Sequence, residues 1–234
     1  FDTVYEFGKD KHVITVEIEH VNIEALEKLE SEGIRVFPQP HILKMVQDKG
    51  LQKSFYRDHQ IPTPDFYLVE NRAEIEQYQS EFPFMQKMRK GGYDGKGVTA
   101  LKTAADLETA FDVPSVLERF VDFDKELSVI VARNEKGETK AYPTVECEFS
   151  PEANLVEFLF APAEISADVE ERAKKLAIEI IEKLEMVGIL AVELFLTKSG
   201  EILVNEIAPR PHNSGHQTIE CNVTSQFEQH LRSI

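Results

Sequence analysis

The chain has 234 residues, of which 42% are hydrophobic and 29% charged, a composition typical of globular proteins and unlike that of disordered chains. No stretch approaches the roughly 20 apolar residues of a membrane-spanning helix, and the first residues do not resemble a signal peptide, so we expect a cytoplasmic protein without a membrane partner. A formal net charge of -16 argues against nonspecific nucleic-acid binding and favours small-molecule partners. Cys147 and Cys221 lie in no metal-ligand spacing, which predicts two reduced thiols.

The first sixty residues predict a partial α/β unit. His12–Ile18 alternates like a strand, Asn22 is placed to cap a helix that ends at Gly33, and Ile34–Phe37 is a second predicted strand. A strand, helix, strand order is typical of a parallel sheet, and no strand precedes it. We therefore expect a fragment that lacks its true start.

A predicted helix, Leu51–His59, leads to Ile61-Pro62-Thr63-Pro64, where two prolines exclude a continuous helix and mark a linker. Beyond it we expect an α+β domain, because short strands alternate with helices and hairpins. The predicted strands are Phe66–Val69, Phe84–Met88, Val98–Leu101, Ser115–Arg119, Glu126–Ala132, Thr139–Phe149, Leu155–Pro162, Ala191–Thr197 and Ile202–Ala208. The predicted helices are Ala73–Ser80, Ala104–Phe111, Asp168–Met186 with Ser166 near its cap, and Ser225–Ser233.

A glycine-rich segment, Gly91-Gly92-Tyr93-Asp94-Gly95-Lys96-Gly97, joins two of the predicted strands. Its four glycines expose backbone N–H groups and let the chain approach a polyphosphate closely. The spacing matches neither a Walker loop nor a dinucleotide fingerprint. Composition alone leaves two interpretations open, a phosphate-binding loop and a mobile hairpin turn.

Lys87 lies on the strand before this segment, where alternation puts Met85, Lys87 and Arg89 on one face. An ammonium group there would neutralise the charge that builds on phosphate during phosphoryl transfer. A solvated lysine at a strand edge is the alternative interpretation.

Glu193 and Glu206 lie near the open end of one predicted hairpin, each within an apolar run. A buried carboxylate must be paired, hydrogen-bonded or bound to a metal, and oxygen ligands near a triphosphate are typical of Mg²⁺ sites. Simple pairing about the turn places Glu193 opposite Asn205. We therefore predict either a β-bulge that brings Glu206 to the same face or a ligand role for Asn205. An ion pair with a lysine or arginine is the alternative.

The polar loop Arg210-Pro211-His212-Asn213-Ser214-Gly215-His216 follows the Glu206 strand directly. It carries several donors suited to an anionic substrate or to phosphate. Each histidine alone is more typical of a surface or capping position. The position of the loop next to the candidate metal ligands makes it a candidate part of the same site.

Four segments together, KMRKGGYDGKG, LERF followed by DKELSV, AVELF and VNEIAPRPHNSGH, resemble the ATP-grasp enzymes. Among these they resemble the N5-carboxyaminoimidazole ribonucleotide synthetase family of purine biosynthesis. The resemblance covers essentially the whole chain. It implies an ATP-grasp fold, in which two α+β lobes sandwich ATP, preceded by a partial α/β pre-ATP-grasp domain. The implied divisions are 1–60 for the partial domain and linker helix, 61–120 for the small lobe and 121–234 for the large lobe.

The implied reaction begins with phosphorylation of bicarbonate by ATP and Mg²⁺ (or Mn²⁺). The resulting carboxyphosphate delivers carbon dioxide to the amine of 5-aminoimidazole ribonucleotide. The family tends to form homodimers, so we expect one here. We expect the N-terminal phosphate-binding turn and the C-terminal domain of the family to lie outside this chain. Two alternatives are therefore a nucleotide-binding fragment without turnover and another ATP-grasp ligase with a different acyl acceptor.

The resemblance also implies roles for single residues. The residues implied to bind ATP are Lys49, Lys87, Gly91, Gly92, Tyr93, Asp94, Gly95, Lys96, Gly97, Glu118, Arg119, Phe120, Val121, Glu126, Asn205 and Glu206. Among these, backbone groups of 118–121 would meet the adenine and Glu126 would hold the ribose hydroxyls. Glu193 and Glu206 would hold the metal. The residues implied to face bicarbonate or the ribonucleotide, and so to be catalytic, are Arg210, His212, Asn213 and His216.

The chain departs from the family pattern in two places. Relatives often carry a histidine where this chain reads Val145-Glu146-Cys147-Glu148-Phe149. Gln217 replaces an aromatic residue after the SGH triplet. Neither position receives a role from the resemblance.

Overall fold

The computed structural model describes residues 1–92, 96–149 and 156–234. Tyr93, Asp94 and Gly95 of the glycine-rich segment, and Leu155 at the start of a predicted strand, lie outside the described residues. Three β-sheets follow one another along the described chain, each with helices packed nearby. This mixture of helices and strands confirms the predicted α+β class.

A two-stranded parallel sheet forms the N-terminal unit. Its strands are β1 (Val13–Thr15) and β2 (Arg35–Phe37). Asn22 Oδ1 accepts a hydrogen bond from the backbone N–H of Ala25 at 2.8 Å, which confirms the predicted helix cap. The sequence patterns do not predict the first and third helices of this part. The four helices are α1 (Asp2–Gly8), α2 (Ile23–Ser31), α3 (Pro40–Val46) and α4 (Lys49–Asp58).

The first strand is shorter than predicted, ending at Thr15 rather than Ile18. Its partner β2 ends where Pro38 follows, because proline has no N–H group with which to continue the ladder. The chain after β1 finds other partners, since Gln47 Nε2 donates to the carbonyl oxygens of Glu19 and Val21 at 2.6 and 3.1 Å. The extended prediction to Ile18 is therefore wrong.

An antiparallel four-stranded sheet follows, and we call this sheet with its short helices the small lobe. Its strands are β3 (Phe66–Val69), β4 (Phe84–Met88), β5 (Val98–Leu101) and β6 (Ser115–Arg119). They lie in the order β3-β6-β4-β5, and all four confirm the predicted strands. The two predicted helices are present, but the second is two residues shorter than predicted and both contain 3-10 helix. They form α5 (Arg72–Ile75) with a 3-10 helix (Glu76–Glu81), and a second 3-10 helix (Ala104–Thr109).

A six-stranded antiparallel sheet is the centre of the last part, the large lobe. Its strands are β7 (Phe123–Arg133), β8 (Thr139–Ala141), β9 (Val145–Phe149), β10 (Val156–Phe160), β11 (Gly188–Thr197) and β12 (Ile202–Ala208). The order is β10-β9-β7-β11-β12, with β8 also pairing with β7. The prediction of one strand over 139–149 is wrong, because Pro143 interrupts the ladder between β8 and β9.

Helix α6 (Ala167–Lys183) covers one face of this sheet. Ser166 Oγ accepts from Val169 N–H at 3.3 Å and caps the helix, as predicted. The helix ends earlier than the predicted Met186, because Glu185 adopts a left-handed φ of 49°. Buried alanine and isoleucine side chains of α6 pack against β7, β11 and β12 in the largest hydrophobic cluster of the described chain. The remaining helices are α7 (Thr218–Cys221) and α8 (Gln226–Ser233), with a 3-10 turn (Asn213–Gly215) before them.

Two predictions from the sequence composition concern membrane-spanning helices and the state of the cysteines. Among the described residues, no helix has the length and apolarity that a membrane crossing requires. Both cysteines are free thiols, Cys147 buried on β9 and Cys221 exposed. Burial, reinforced by neighbouring carboxylates, raises the pKa of the Cys147 thiol to about 12.

Candidate functional site

Two strands of the large lobe bring the predicted carboxylates together. Glu193 on β11 lies directly opposite Glu206 on β12, whereas the next pair is Leu194 with Val204. Asn205 is therefore the extra residue of a β-bulge, and the predicted bulge is confirmed. Without the bulge, regular alternation would turn Glu206 to the opposite face of the sheet.

Glu206 forms an ion pair with Lys49, the first residue of α4. The preceding residue, Asp48, caps α4 by accepting from Gly50 N–H at 2.9 Å. Its two oxygens also accept from Arg89 Nε and Nη2 at 2.8 and 2.9 Å. Lys49 N–H donates to the Arg89 carbonyl at 2.9 Å. Helix α4 thus connects the strand end before the glycine-rich segment with the carboxylate pair.

A buried carboxylate at the end of β6, that of Glu118, is shared by two lysines. Its Oε1 lies 2.7 Å from Lys53 Nζ and its Oε2 lies 2.6 Å from Lys87 Nζ. Lys87 also donates to Asn205 Oδ1 at 2.9 Å. Burial opposes ionisation of Glu118, but the two ammonium groups outweigh this effect and hold its pKa below the ordinary value. Burial lowers the pKa of Lys53 to about 8.

The sequence patterns do not predict Lys53 as a site residue. It lies one helical turn after Lys49, so the i, i+4 spacing of two lysines on α4 was the available signal. Lys53 Nζ also donates to Thr63 Oγ1 at 2.6 Å, and that hydroxyl donates to the Val204 carbonyl at 2.8 Å. Together with the Lys53–Glu118 ion pair, these bonds connect α4 to both the small lobe and strand β12.

Three carboxylates face the same side of the large sheet. Glu126 is two residues from Ser128, the β7 partner of Glu193, so both glutamates lie on one face. Burial raises the pKa of Glu126 to about 7. Burial and the neighbouring charges of Glu206 and Glu126 raise that of Glu193. The pKa of Glu206 is lowered, because the Lys49 ammonium lies against it. The face therefore carries an excess of negative charge that a bound cation would relieve.

The loop after β12 places His212 beside this face. His212 Nδ1 accepts from Ser214 N–H at 3.3 Å, so the ring proton lies on Nε2, 3.4 Å from Glu193 Oε1. Ser214 Oγ contacts Ser128 Oγ at 2.7 Å, which fixes the loop to β7. The side chain of Gln226 bonds the backbone N–H and C=O of His212 at 2.9 and 2.7 Å. Burial lowers the pKa of His212 to about 4, so the ring is neutral at pH 7.

The other predicted catalytic residues are not all gathered at the carboxylates. Arg210 pairs with Glu19 at 2.7 Å, a contact between the large lobe and the N-terminal unit that the sequence does not predict. Asn213 is exposed, and exposed His216 lies over the ring of Phe227 with centroids 6.2 Å apart. The structure therefore brings His212 against Glu193 and places Asn213 and His216 at the surface of the loop.

The connection between the lobes contains Arg119, Phe120 and Val121. The Arg119 guanidinium turns to Glu81 of the small lobe, with which it forms an ion pair. A shallow depression of about 320 Å³ lies beside the connection, bordered also by residues 63–65 and Leu203. The side chain of Arg119 is thus engaged within the small lobe, while the backbone of the connection borders the depression.

The ends of the glycine-rich segment close on each other. Gly91 and Gly97 have φ values of 79° and 77°, a left-handed conformation that favours glycine. Met88 N–H donates to the Gly97 carbonyl at 2.8 Å. A Cβ added to Gly92 would lie 2.9 Å from the carbonyl oxygen of Lys96, so a larger residue does not fit. The described ends of the segment therefore lie close together between β4 and β5.

The donor set fits a hard divalent cation. Within 1–92, 96–149 and 156–234, no group of three or more His, Cys, Asp or Glu side chains is arranged to hold a metal ion. Glu193 and Glu206 offer two carboxylates, and Mg²⁺ is commonly held by one or two carboxylates together with phosphate oxygens and water. Lys49 pairs with Glu206, whereas the raised pKa of Glu193 indicates that this second carboxylate lacks sufficient counter-charge, which such an ion would supply.

Comparison with known families shows to which family the chain belongs. Residues 54–227 match the ATP-grasp domain family. The chain belongs to the ATP-grasp family. Residues 1–47 match the ribonucleotide synthetase preATP-grasp domain. Together the two matches confirm the predicted ATP-grasp fold with a preceding pre-ATP-grasp part.

Relatives of this ATP-grasp chain carry names that agree with the predicted resemblance. It is 41% identical to a Vigna aconitifolia protein named phosphoribosylaminoimidazole carboxylase, chloroplastic, over 99% of this chain and 42% of the relative. Its sequence is also 45% identical to that of N5-carboxyaminoimidazole ribonucleotide synthetase from Thermotoga maritima. The crystal structure of that protein matches this chain with a TM-score of 0.88, and the match covers 99% of this chain and 60% of that one.

A third comparison concerns a structure with bound ligands. The N5-carboxyaminoimidazole synthase from Aspergillus clavatus, in complex with ADP and 5-aminoimidazole ribonucleotide, is 33% identical with a TM-score of 0.91. The match covers 100% of this chain and 62% of that one. The ATP-grasp chain thus spans between 42% and 62% of the three relatives.

Proposed function

We propose that this chain is the nucleotide-binding core of a ligase that carboxylates 5-aminoimidazole ribonucleotide in purine biosynthesis, with ATP and bicarbonate as co-substrates. One observation carries the proposal. The Glu193–Glu206 pair meets Lys49 and, through Asn205, Lys87, at the strand end from which the glycine-rich segment starts. The relatives named for this chemistry support the choice of substrate.

The proposed reaction has two steps. A bicarbonate oxygen attacks the γ-phosphorus of ATP, so that carboxyphosphate forms and ADP leaves. Carboxyphosphate then delivers carbon dioxide to the exocyclic amine of the ribonucleotide. The amine loses one proton, and inorganic phosphate is released. The protein's task is therefore to position three anions and to counter the charge that develops on the transferred phosphoryl group.

In this proposal the cationic side of the site holds the triphosphate. Lys49 and Lys87 supply ammonium groups, and the glycine-rich segment 91–97 supplies backbone N–H groups. The lobe connection at 118–121 meets the adenine, and Glu126 accepts from the ribose hydroxyls. The partly protonated state expected for Glu126 at pH 7 disappears once hydroxyl donors stabilise its carboxylate.

Glu193 and Glu206 are proposed to hold Mg²⁺, or Mn²⁺ in its place, with Asn205 assisting. When bound, the ion neutralises charge on the phosphate oxygens during transfer. His212 orients Glu193 by pointing its Nε2 proton at that carboxylate, 3.4 Å away. Ser214 in turn fixes the ring through Nδ1.

The loop 210–216 is proposed to bind bicarbonate and the ribonucleotide. Arg210 is the cation of this group, and its present partner, Glu19, lies on the N-terminal unit. His212 is neutral, because its pKa of about 4 excludes the protonated form at pH 7, and its single N–H is directed at Glu193. Asn213 and His216 are exposed and so remain accessible to a substrate.

The decisive experiment measures ADP release by this chain with ATP, Mg²⁺ and bicarbonate, with and without 5-aminoimidazole ribonucleotide. Stimulation by the ribonucleotide is expected, and Glu206→Gln should abolish it. Glu201→Gln is the matched control, since Glu201 is exposed beside the turn of the same hairpin and should retain the stimulation.

Other outcomes would separate the alternatives. ATP binding without stimulation would indicate a nucleotide-binding module or a ligase with another acceptor. No ATP binding at all would overturn the nucleotide site. We further propose a cytoplasmic homodimer, which sedimentation analysis of the chain and its cellular location would test.

A further inference from the structure

Lys49 holds an unusual position for a residue expected to bind ATP, because its ammonium group lies on a proposed metal ligand. It forms an ion pair with Glu206, and both side chains are half-buried. Glu206 is opposite Glu193 across the hairpin, so the ammonium lies beside the carboxylate pair that would receive the ion. A lysine and a divalent cation compete for the same carboxylate oxygens.

The backbone of Lys49 is fixed at this place. Asp48 is only 4% exposed and holds the Arg89 guanidinium through two hydrogen bonds of 2.8 and 2.9 Å. Lys49 N–H donates to the Arg89 carbonyl. A Cβ on Gly50 would lie 2.5 Å from Arg89 Nε, so α4 approaches Arg89 closely here. Because the main chain is held, Lys49 can change its partner only through its flexible side chain.

The same anchoring puts Lys49 next to the expected phosphate site. Arg89 is two residues from Gly91, the start of the glycine-rich segment, and Lys49 is bonded to the Arg89 main chain. Lys49 therefore lies between the segment proposed to bind phosphates and the carboxylates proposed to bind metal. A four-carbon side chain with three freely rotating donors is suited to move between the two.

We propose that Lys49 is a displaceable counter-ion, which occupies the metal position on Glu206 in the nucleotide-free protein and moves to the phosphates when nucleotide and metal bind. The inference rests on the proposed function, since it uses the same nucleotide and metal site. Lys49 stabilises the crowded carboxylates before ligands arrive. It also disfavours metal binding in the absence of a nucleotide, because the ion must displace an ammonium group before the phosphates that would receive it are bound.

The test measures Mn²⁺ binding to the nucleotide-free protein by the loss of the free-ion electron paramagnetic resonance signal. Lys49→Met removes the competing charge and should tighten Mn²⁺ binding by about fivefold or more at low salt, with a smaller gain at high salt. The same variant should bind ADP in excess EDTA about fivefold more weakly, because a charge-assisted phosphate contact is lost.

Three control variants make the result specific. Lys44→Met removes the same charge from an exposed lysine that pairs with Glu27 at 3.1 Å, and should leave Mn²⁺ binding unchanged. Lys49→Arg keeps the charge and should show no gain. In Lys49→Met combined with Glu206→Gln, the gain should disappear, because the effect acts through Glu206.

Unchanged or weaker Mn²⁺ binding in Lys49→Met overturns the counter-ion role. Wild-type binding of ATP with Mg²⁺, measured in the same series, keeps this failure distinct from failure of the proposed function. If wild type binds the nucleotide and Lys49→Met shows no gain, only the counter-ion role is lost. If Lys49→Met does not fold, Lys49→Gln replaces it with the same expected gain.

Discussion

At the scale of single residues, Glu118 determines the geometry of the cationic side of the site. Its carboxylate lies within 2.7 Å of two ammonium groups, and its side chain is only 4% exposed. Lys53 is equally buried, at 3% exposure of its side chain. Two buried cations that face each other are stable only when a carboxylate separates them, since neither has water to screen its charge.

The variant Glu118→Gln should therefore destabilise the fold by about 3 kcal/mol, because two buried ammonium groups lose their shared counter-charge. Urea denaturation at pH 7 measures the change. The matched control is Glu27→Gln, which breaks an exposed pair with Lys44 and should cost less than about 1 kcal/mol. Equal losses in the two variants would show that Lys53 and Lys87 do not depend on Glu118.

Single residues also show which parts of the site can be predicted from the sequence. Glu193, Glu206 and Lys87 are predicted because a charge inside an apolar or alternating strand is a local anomaly. Asp48 carries no such anomaly, since an aspartate before a helix is an ordinary cap, and its bonds to Arg89 join residues 41 positions apart. Sequence patterns give the face of an element and not its neighbour, so such long-range pairs appear only in the fold.

At the scale of elements, the best predictions are those fixed by local rules. The four small-lobe strands follow from alternation between turn residues, and the bulge follows from counting residues about a hairpin turn. The end of β1 at Thr15 is missed, because it depends on how far the partner strand extends. The break at Pro143 has a local signal, since proline interrupts a strand, but the predicted strand runs through it. Helix α1 is missed as well, since it is short and only half-buried.

The C-terminal helix α8 is bonded to the N-terminal sheet through His230. Its Nδ1 accepts from Ile189 N–H at 3.2 Å, so Nε2 carries the proton and donates to Thr15 Oγ1 at 2.6 Å. The bond from Ile189 needs the neutral ring, because a protonated Nδ1 cannot accept a hydrogen bond. Burial lowers the pKa of His230 to about 4.

Because the folded-state pKa lies below the unfolded value, His230 contributes full stability above about pH 6.5, and this contribution falls as the pH drops toward 4. Between pH 7.5 and 5, wild type should lose about 2 kcal/mol more than His230→Gln, which cannot titrate. Urea denaturation of both proteins across this range measures the difference. Parallel losses would show that the ring does not need to be neutral.

At the scale of the whole molecule, helix α4 joins parts that the sequence would divide. Tyr56 of α4 lies in the hydrophobic cluster of the large lobe, whereas Lys53 and Asp48 bind Glu118 and Arg89 of the small lobe. The helix itself is predicted, but its contacts with both lobes are not. A ligand held between the lobes is expected to act on the stability of the whole chain, since α4 links their cores.

Binding of ATP with Mg²⁺ should therefore raise the temperature of one cooperative unfolding transition. At a ligand concentration of 100 Kd the gain is about 2.7 kcal/mol, which for a chain of this length corresponds to about 5 to 10 °C. Scanning calorimetry measures the shift. Glu206→Gln should show a smaller shift with ATP and Mg²⁺, because one proposed metal ligand is lost. If the nucleotide stabilises only part of the chain, two transitions will separate, and the coupling of both lobes through α4 is contradicted.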